Sequence, residues 1–454
     1  MAATLLDSEY YRDQYSTPQM RNVFSDDARF ASWIEAEVGL ACAQEEIGLI
    51  PSGVADKLRS FAKIEDIDLE AMKEEFDKVG FAIMPFVHQL SKLCDSETKK
   101  YLHWGSTTQD ILDTGLSLQM RAGLLLIEAD LDRCIVALIN LAKEHRETPM
   151  AGRSFMQHAA PITFGYKVAV WLDELMRHKA RLPSVRANAL LVQCGGAVGT
   201  LSTMGPDALA VRQAMGRIMG LGVPEVSWHN SRDGWTECIA WLGMVSASLG
   251  KIATEIATCM RSEIGELREP FQAGRGASSA MPQKRNPIAC PPVIAIAAMM
   301  REKVSSQMSA MIQEHERAVA GMPIEWIVIP EAFLLMSGSL MHLAPVLEGL
   351  DVDTEAMMKN LQSNGGLIMS QGVMMGLAPY LGNMGAHDAV TDAAQKSINN
   401  GSTLRQELRK LQIVKDKLSS SDLDELLDPK NYTGAAGKMV DLVLKKAETK
   451  GFPV

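Results

Sequence analysis

The chain has 454 residues, of which 47% are hydrophobic and 22% are charged, and its formal net charge is −10. This apolar content is sufficient to offset the entropy lost on ordering the chain, which excludes a mainly disordered protein. No dense Lys/Arg stripe interrupts the acidic balance, so the electrostatic footprint of a nucleic-acid-binding protein is lacking. The length exceeds that of one compact core and predicts two or three domains.

Helical periodicity dominates the chain. In chain order it predicts five long helices, over Thr108–Glu147, about 163–182, Glu237–Leu267, Pro292–Gly321 and about 330–350. Short alternating runs of β-branched and aromatic residues are scarce, so little sheet is expected and the fold class is all-α. Several helices are apolar on more than one face, which fits packing against other subunits and a large core equally well.

Proline and glycine positions divide the chain into three predicted domains. These are an N-terminal helical domain over 1–107, a central long-helix bundle over 108–350 and a C-terminal helical domain over 351–454. The seven cysteines are scattered and form no C-x-x-C pair, which is typical of a reducing compartment. The first residues lack the apolar core of a signal peptide, and apolar stretches such as Cys290–Met300 are too short for a bilayer. We therefore expect a cytoplasmic protein without a membrane segment.

The chemistry is predicted to lie in the segment Gly274–Pro287, which reads GRGASSAMPQKRNP. Two prolines exclude a regular helix there, and the small residues allow a ligand to approach the backbone. Hydroxyl, cationic and amide side chains together indicate an anion-binding loop with a potential nucleophile or base. A serine would need strongly cationic surroundings to act as a base. On composition alone, a polar connection between two helices explains the segment equally well.

The pattern G-x-S-S-x-M-P-x-K-x-N-P in this loop resembles the signature of the fumarase/aspartase superfamily, which includes adenylosuccinate lyase, argininosuccinate lyase and 3-carboxy-cis,cis-muconate cycloisomerase. The resemblance extends over most of the chain. It is also carried by Tyr15–Met20, His103–Asp110, Gly152–Ser154 with Gln157, Gly196–Thr200 and Glu314–Arg317. It implies a homotetramer with a central bundle of long helices and active sites built from three subunits.

The resemblance also implies roles for individual residues. Ser278, six residues before Lys284, would be the catalytic base. Lys284 and Asn286, with Ser279 beside them, would bind the carboxylate next to the departing proton. A second carboxylate would be held by Thr107, Thr108 and Gln109, and a threonine here is equally suited to cap the helix that follows.

Three further side chains are candidates for the site. Arg232 and Arg317 are possible carboxylate clamps, because a guanidinium pairs with a carboxylate through two hydrogen bonds. Each is as readily explained as an ion pair between helices. His158, next to Gln157, is a candidate catalytic residue, although a histidine among apolar residues is more often part of a core or interface. No H-x-H, H-E-x-x-H or glycine-rich nucleotide motif is found, so neither a metal nor another cofactor is expected.

Departures from the family pattern bear on the substrate. Where the lyases have a histidine in T-H-x-Q, this chain has Phe155, which has no proton to give. Gln157-His158-Ala159 and Glu325-Trp326 resemble bacterial 3-carboxy-cis,cis-muconate cycloisomerases, whereas adenylosuccinate lyase would have an arginine in place of Trp326. Val79–Pro85 lacks the expected polar residues, and Arg232-Asp233-Gly234 lacks a second arginine, which suggests a different substrate on the same machinery.

Three hypotheses follow from these residues. The first is a cycloisomerase or C–N lyase that acts on a small polycarboxylate without a cofactor, by removing or adding a proton α to a carboxylate. The second is an epimerase of an N-substituted aspartate such as iminodisuccinate, favoured by the missing histidine. The third, an inactive structural homologue, is disfavoured by the intact Ser278, Lys284 and Asn286.

Overall fold

The computed structural model of the chain describes residues 3–270, 281 and 284–454. The chain divides into two compact units. Unit 1 comprises Met1–Asp130, His178–Leu249 and Ala295–Met341, and unit 2 comprises Leu131–Arg177, Gly250–Ile294 and His342–Val454. Five long helices each contribute residues to both units. The predicted three-domain division at 107 and 350 stays a prediction.

Within the described residues the α-helices are α1 (Pro18–Val23), α2 (Asp26–Glu46), α3 (Val54–Phe61), α4 (Leu69–Val79), α5 (Ile83–Leu93), α6 (Thr108–Glu144), α7 (Phe164–Ala189), α8 (Ala208–Met219), α9 (Asp233–Cys259), α10 (Cys290–Ala310), α11 (Gly321–Glu348), α12 (Thr354–Gln362), α13 (Ser370–Asn400), α14 (Leu404–Leu408), α15 (Gln412–Lys417), α16 (Ser420–Leu426) and α17 (Ala436–Thr449). The strands are β1 (Pro149–Ser154), β2 (Gln157–Thr163), β3 (Leu267–Arg268) and β4 (Asp351–Val352), paired antiparallel as β1–β2 and β3–β4. The prediction of an all-α fold with little sheet is confirmed.

Several predicted helix boundaries were wrong. Helix α10 ends at Ala310 instead of Gly321, and α7 continues to Ala189 instead of ending near 182. Helix α9 ends at Cys259 instead of Leu267, and the chain then passes through Gly265, which has a left-handed φ of 62°, before it enters β3. Helix α11 begins at Gly321 and continues through Pro330, where the prediction had placed its start. A proline removes one backbone hydrogen bond, but this helix is largely enclosed by protein, so packing holds it together.

Helix α11 is apolar enough and long enough to cross a membrane by those two measures. Its most apolar window has a mean hydropathy of 1.6, and 72% of that window is buried inside the protein. This burial is what a core helix requires. In unit 1 it packs closely on α6, where a Cβ placed on Gly123 would lie 2.6 Å from the ring of Phe333. The glycine lets the two helices approach.

Unit 2 contains the β1–β2 hairpin and the C-terminal helices. Ala151 of β1 packs with Leu361, Ile368 and Met369, and a second cluster is formed by α13 to α16. Arg153 of β1 donates to both carboxylate oxygens of the buried Glu266, at 2.9 and 2.7 Å. This ion pair holds the hairpin close to its turn, since Arg153 is paired with His158.

The hairpin turn is strained and apolar. Ser154 pairs with Gln157, so the loop consists of Phe155 and Met156, whose φ angles are +49° and +64°. Such a two-residue turn favours Asn-Gly, because most side chains clash at positive φ. Nevertheless Phe155 is 100% exposed and Met156 is 85% exposed. Two large apolar side chains therefore occupy strained positions in which they contribute nothing to the core of this chain.

Replacing this turn by Asn-Gly should stabilise the chain. We expect Phe155→Asn with Met156→Gly to raise the free energy of unfolding by about 1–2 kcal/mol, through relief of two left-handed conformations. Chemical denaturation measures the change. Ile312→Asn, at a residue that is 80% exposed and has no positive φ, is the control for loss of an exposed apolar side chain. Equal effects of the two changes would contradict the strain argument.

Candidate active site

The start of α6 binds a guanidinium. Arg317 donates from its terminal nitrogen to the Thr107 hydroxyl at 2.7 Å and from Nε to the Gln109 amide oxygen at 3.2 Å. These residues are 210 and 208 positions apart in sequence, so the contact is tertiary. The structure therefore brings two sets of candidate site residues, Arg317 and the Thr107–Gln109 segment, together within unit 1.

Two donors in this group are not used by the residues that the structure describes. Arg317 is half-buried, and in the described part of the chain no acidic side chain pairs with it. Its second terminal nitrogen and the hydroxyl of the half-buried Thr108 have no partner among these residues. The group also lies at the N-terminus of a 37-residue helix, where the backbone favours negative charge. It is therefore suited to hold a carboxylate.

Asp110 fixes the backbone around this group. Its carboxylate accepts hydrogen bonds from the backbone N–H groups of Thr107 at 3.1 Å, Gly195 at 3.0 Å and Gly196 at 2.9 Å. It also lies 2.8 Å from Nε2 of the buried His229. A Cβ on Gly195 would lie 2.8 Å from the His229 ring, so only glycine allows this approach.

Asp113, Arg232 and Glu325 form a buried charge cluster one turn further along α6. Arg232 binds both oxygens of Asp113 at 2.7 and 3.1 Å and both oxygens of Glu325, the shortest contact being 2.7 Å. The guanidinium carbon lies 4.7 and 4.2 Å from the ring centres of Trp228 and Trp235. The side chain of Arg232 is 0% exposed. Burial raises the pKa of the Glu325 carboxyl, an effect that the attraction of Arg232 only partly offsets.

This cluster corrects the predicted clamp role of Arg232. Its five N–H groups are occupied by the two carboxylates and by the carbonyl oxygen of Trp228 at 3.5 Å. None is left for a substrate carboxylate. Gln109 connects the cluster to the site, because its amide nitrogen donates to Asp113 at 3.2 Å while its oxygen accepts from Arg317. The structure thus gives Arg232 a supporting place in the core.

Gln157 and His158 lie on β2 in unit 2. Gln157 is exposed and His158 is half-buried, and neither side chain has a hydrogen-bond partner among the residues that the structure describes. Burial, together with the charge of Arg153, lowers the pKa of the His158 imidazole. The ring is therefore predominantly neutral at pH 7, which suits a proton acceptor better than a cationic carboxylate ligand.

The loop predicted to carry the chemistry is described only in part. Ser278 and Ser279 lie outside the described residues. Lys284 is exposed and Asn286 is half-buried, and both belong to unit 2. Beyond them Glu269 accepts hydrogen bonds from the backbone N–H groups of Ile288 at 2.9 Å, Ala289 at 3.1 Å and Cys290 at 2.9 Å. Glu269 thereby caps α10 and holds the chain on either side of Lys284 and Asn286.

The sequence reading did not assign roles to Asp110, Asp113, His229, Glu269 and Glu325. Asp110 ends the quoted segment His103–Asp110 and Asp113 follows it, and their spacing of three on a predicted helix indicates a shared face. No local pattern identifies the partners, which lie more than 80 residues away. Among described residues no group of three or more His, Cys, Asp or Glu side chains could hold a metal ion, and the absence of a cofactor stays a prediction.

Removing the buried cation should be costly. Arg232→Met leaves two carboxylates buried without a counter-charge, and we expect a loss of about 3–5 kcal/mol in the free energy of unfolding. The control is Arg133→Met, because Arg133 pairs with Glu348 at the surface with side chains 47% and 43% exposed. That change should cost less than about 1 kcal/mol in denaturant titrations. Similar costs for the two variants would refute a special role for the cluster.

Glu269→Gln should reveal a pH-dependent contribution. Burial opposes ionisation, but the three backbone donors outweigh it and lower the pKa of Glu269 from its usual 4.5. Because the folded-state pKa is the lower one, this stabilisation is present above pH 4.5 and disappears as the pH falls through the folded-state value. We expect the variant to lose about 1–2 kcal/mol at pH 7 and progressively less towards pH 3. Urea titrations at several pH values measure this.

The matched control for Glu269→Gln is Glu448→Gln, at an exposed residue of unit 2 whose carboxylate has no partner within the described ranges. It should show little difference from the parent at any pH. A loss for Glu269→Gln that stays constant from pH 7 to pH 3 would contradict the capping interpretation.

The sequence of the chain is similar to those of known lyases and cycloisomerases. Residues 12–301 match the family model described as Lyase, and residues 366–443 match the one described as Adenylosuccinate lyase C-terminus. The chain is 38% identical to the 3-carboxy-cis,cis-muconate cycloisomerase of Pseudomonas aeruginosa over 95% of each chain. It is 37% identical to trans-aconitate decarboxylase 1 of Mycosarcoma maydis, over 96% of this chain and 88% of that protein.

The fold is also similar to that of solved structures. The crystal structure of the 3-carboxy-cis,cis-muconate lactonizing enzyme from Pseudomonas putida superimposes with a TM-score of 0.93 at 36% identity, over 97% of this chain and 99% of that one. The resemblance of the sequence motifs is therefore confirmed. With a matching family model over most of its length and relatives above 30% identity along nearly all of it, this chain belongs to the fumarase/aspartase superfamily of lyases and cycloisomerases.

Proposed function

We propose that this enzyme removes or adds a proton α to a carboxylate of a small polycarboxylic acid, without a cofactor. Ser278 would act as the base, and Lys284 and Asn286 would stabilise the charge that develops on the adjacent carboxylate. The substrate would undergo either cycloisomerisation of the 3-carboxy-cis,cis-muconate type or elimination of an amine.

The observation that carries this proposal is the group formed by Thr107, Gln109 and Arg317. It gathers a guanidinium with a spare donor, a hydroxyl and an amide at a helix N-terminus, with no acidic side chain bound to the guanidinium in the described part of the chain. A charged donor that is held in place and left without a counter-ion is suited to bind an anion. A polycarboxylate would use this group for one carboxylate, and Lys284 with Asn286 for another.

Epimerisation of an N-substituted aspartate is the second candidate. The position at which the lyases have a histidine holds Phe155, fully exposed at the hairpin tip, and the lowered pKa of His158 leaves little of its protonated form at pH 7 to donate a proton to a leaving group. Without such a donor, removal and return of the α-proton is the simpler reaction.

Proton NMR in D2O distinguishes these reactions. The enzyme is mixed separately with 3-carboxy-cis,cis-muconate, iminodisuccinate and simple N-substituted aspartates. Lactone indicates cycloisomerisation, fumarate with free amine indicates elimination, and deuterium at the α-carbon without fumarate indicates epimerisation. No reaction with any of these compounds would remove them as substrates and leave an inactive homologue as the better explanation.

Variants assayed on the substrate that this experiment identifies test the roles of individual residues. We expect Arg317→Leu to lower kcat/KM by about 10- to 100-fold, through loss of a charge-assisted contact of about 1.5–3 kcal/mol. Ser278→Ala should lower kcat by about 100-fold or more. Arg133→Leu, in an exposed ion pair, is the control and should leave both constants unchanged. Unchanged activity of Ser278→Ala would refute the proposed mechanism.

We further propose a homotetramer in the cytoplasm. Large apolar side chains are exposed on the long helices, among them Leu125, Val170, Met244, Met308 and Ile327. Burial of such faces against other copies of the chain would remove them from water. Mass photometry should give four times 49.5 kDa, and a single-chain mass would contradict the assembly. Fractionation of cells tests the location.

A further inference from the structure

Unit 1 contains an apolar cavity of about 240 Å³ between α2, α4, α6 and α11. Trp33, Leu112 and Leu116 form its wall and are at most 9% exposed, whereas Trp326, 39% exposed, stands at its mouth. A space of this size with an apolar lining is therefore suited to receive part of a ligand.

The cavity begins one helical turn from the carboxylate-binding group. Thr108 precedes Leu112 by four residues on α6, and Leu116 follows by four more, so the three side chains lie along one strip of the helix. One turn corresponds to about 5.4 Å. A molecule bound through a carboxylate at Thr108 and Arg317 could therefore extend a short chain into the cavity.

The lining indicates what that chain should be. Among the described residues, two side chains with amide or charged groups contribute to this cavity. Gln119 donates to the carbonyl oxygen of Val23 at 2.8 Å, and Arg29 pairs with the exposed Asp26 at 2.7 Å. On the remaining walls there are aromatic, aliphatic and proline side chains. An uncharged hydrocarbon group would lose water there without leaving a buried polar atom unsatisfied.

We propose that the cavity binds an apolar substituent of the substrate, so that the enzyme prefers a succinate-type acid that carries a hydrocarbon side chain over the unsubstituted acid. This inference rests on the proposed function, because it uses Thr107, Thr108 and Arg317 as the carboxylate site. It adds that Trp33, Leu112, Leu116 and Trp326 determine specificity for the substituent.

Isothermal titration calorimetry of the full-length enzyme tests the inference with three unreactive probes: succinate, 2-butylsuccinate and butane-1,2,4-tricarboxylate. The last one carries a carboxylate on the side chain that enters the cavity. We expect 2-butylsuccinate to bind at least about tenfold more tightly than succinate, because its butyl group leaves water. Its binding should also show the more negative heat-capacity change.

Two variants locate the effect. Ala82→Phe places a ring at the cavity wall and should abolish the advantage of 2-butylsuccinate while leaving succinate binding unchanged. Trp326→Ala should reduce that advantage by removing part of the wall, and Ile312→Ala, at a residue that is 80% exposed and does not line the cavity, should not. Arg317→Leu should weaken all three probes by a similar factor.

The outcomes separate this inference from the proposed function. If succinate does not bind, or if Arg317→Leu leaves its affinity unchanged, the carboxylate site is wrong and both ideas fall. If succinate binds through Arg317 and 2-butylsuccinate binds no better, only the cavity inference is overturned. Tighter binding of the tricarboxylate than of 2-butylsuccinate would also overturn it, because Arg29 would then be selecting an anionic side chain.

Discussion

A guanidinium that is buried in protein needs negatively charged partners beside it. The candidate carboxylate site of this enzyme depends on the partners of Arg232. Two carboxylates, Asp113 and Glu325, take up its charge, and two tryptophan rings lie 4.7 and 4.2 Å from its guanidinium carbon. Because Arg232 is paired on both sides, α6 and α11 are joined through charge-assisted hydrogen bonds as well as through apolar contacts. Separating α6 from α11 would leave a buried charge of this cluster without its partner in an apolar interior.

The same cluster also fixes side chains at the start of α6. Gln109 donates to Asp113 and to the carbonyl oxygen of His229, which leaves its amide oxygen directed at Arg317. Asp110, on the adjacent side of the helix, gathers the backbone of Thr107, Gly195 and Gly196. An arginine at the surface normally samples many rotamers. The position of Arg317 is instead set by Thr107 and Gln109, which are themselves held in place. Preorganisation of this kind lowers the entropy cost of binding an anion.

Much of this arrangement could be predicted from the sequence. The all-α class follows from periodicity over segments such as Thr108–Glu144, and the loop signature indicated the family that the comparisons confirm. The role of Arg232 could not be predicted, because an arginine that binds substrate and one that neutralises buried carboxylates have the same local sequence. Only the tertiary positions of Asp113 and Glu325, 119 and 93 residues away, distinguish them. The strained turn at Phe155 was likewise hidden, since its composition contradicts the usual preference for Asn-Gly.

The hydrogen bond between Thr107 and Arg317 has a consequence for motion. The Thr107 hydroxyl stands where a helix-capping group would, yet it accepts from the guanidinium, and its backbone N–H is satisfied by Asp110. The Thr107 hydroxyl oxygen thus lies at the first turn of α6 and also accepts the hydrogen bond from Arg317. Whatever holds Arg317 in place also discourages fraying of that turn, and by thermodynamic reciprocity a turn that is well formed favours the bound anion. Slow hydrogen exchange at the start of this helix would accordingly be a property of the occupied enzyme rather than of the helix alone.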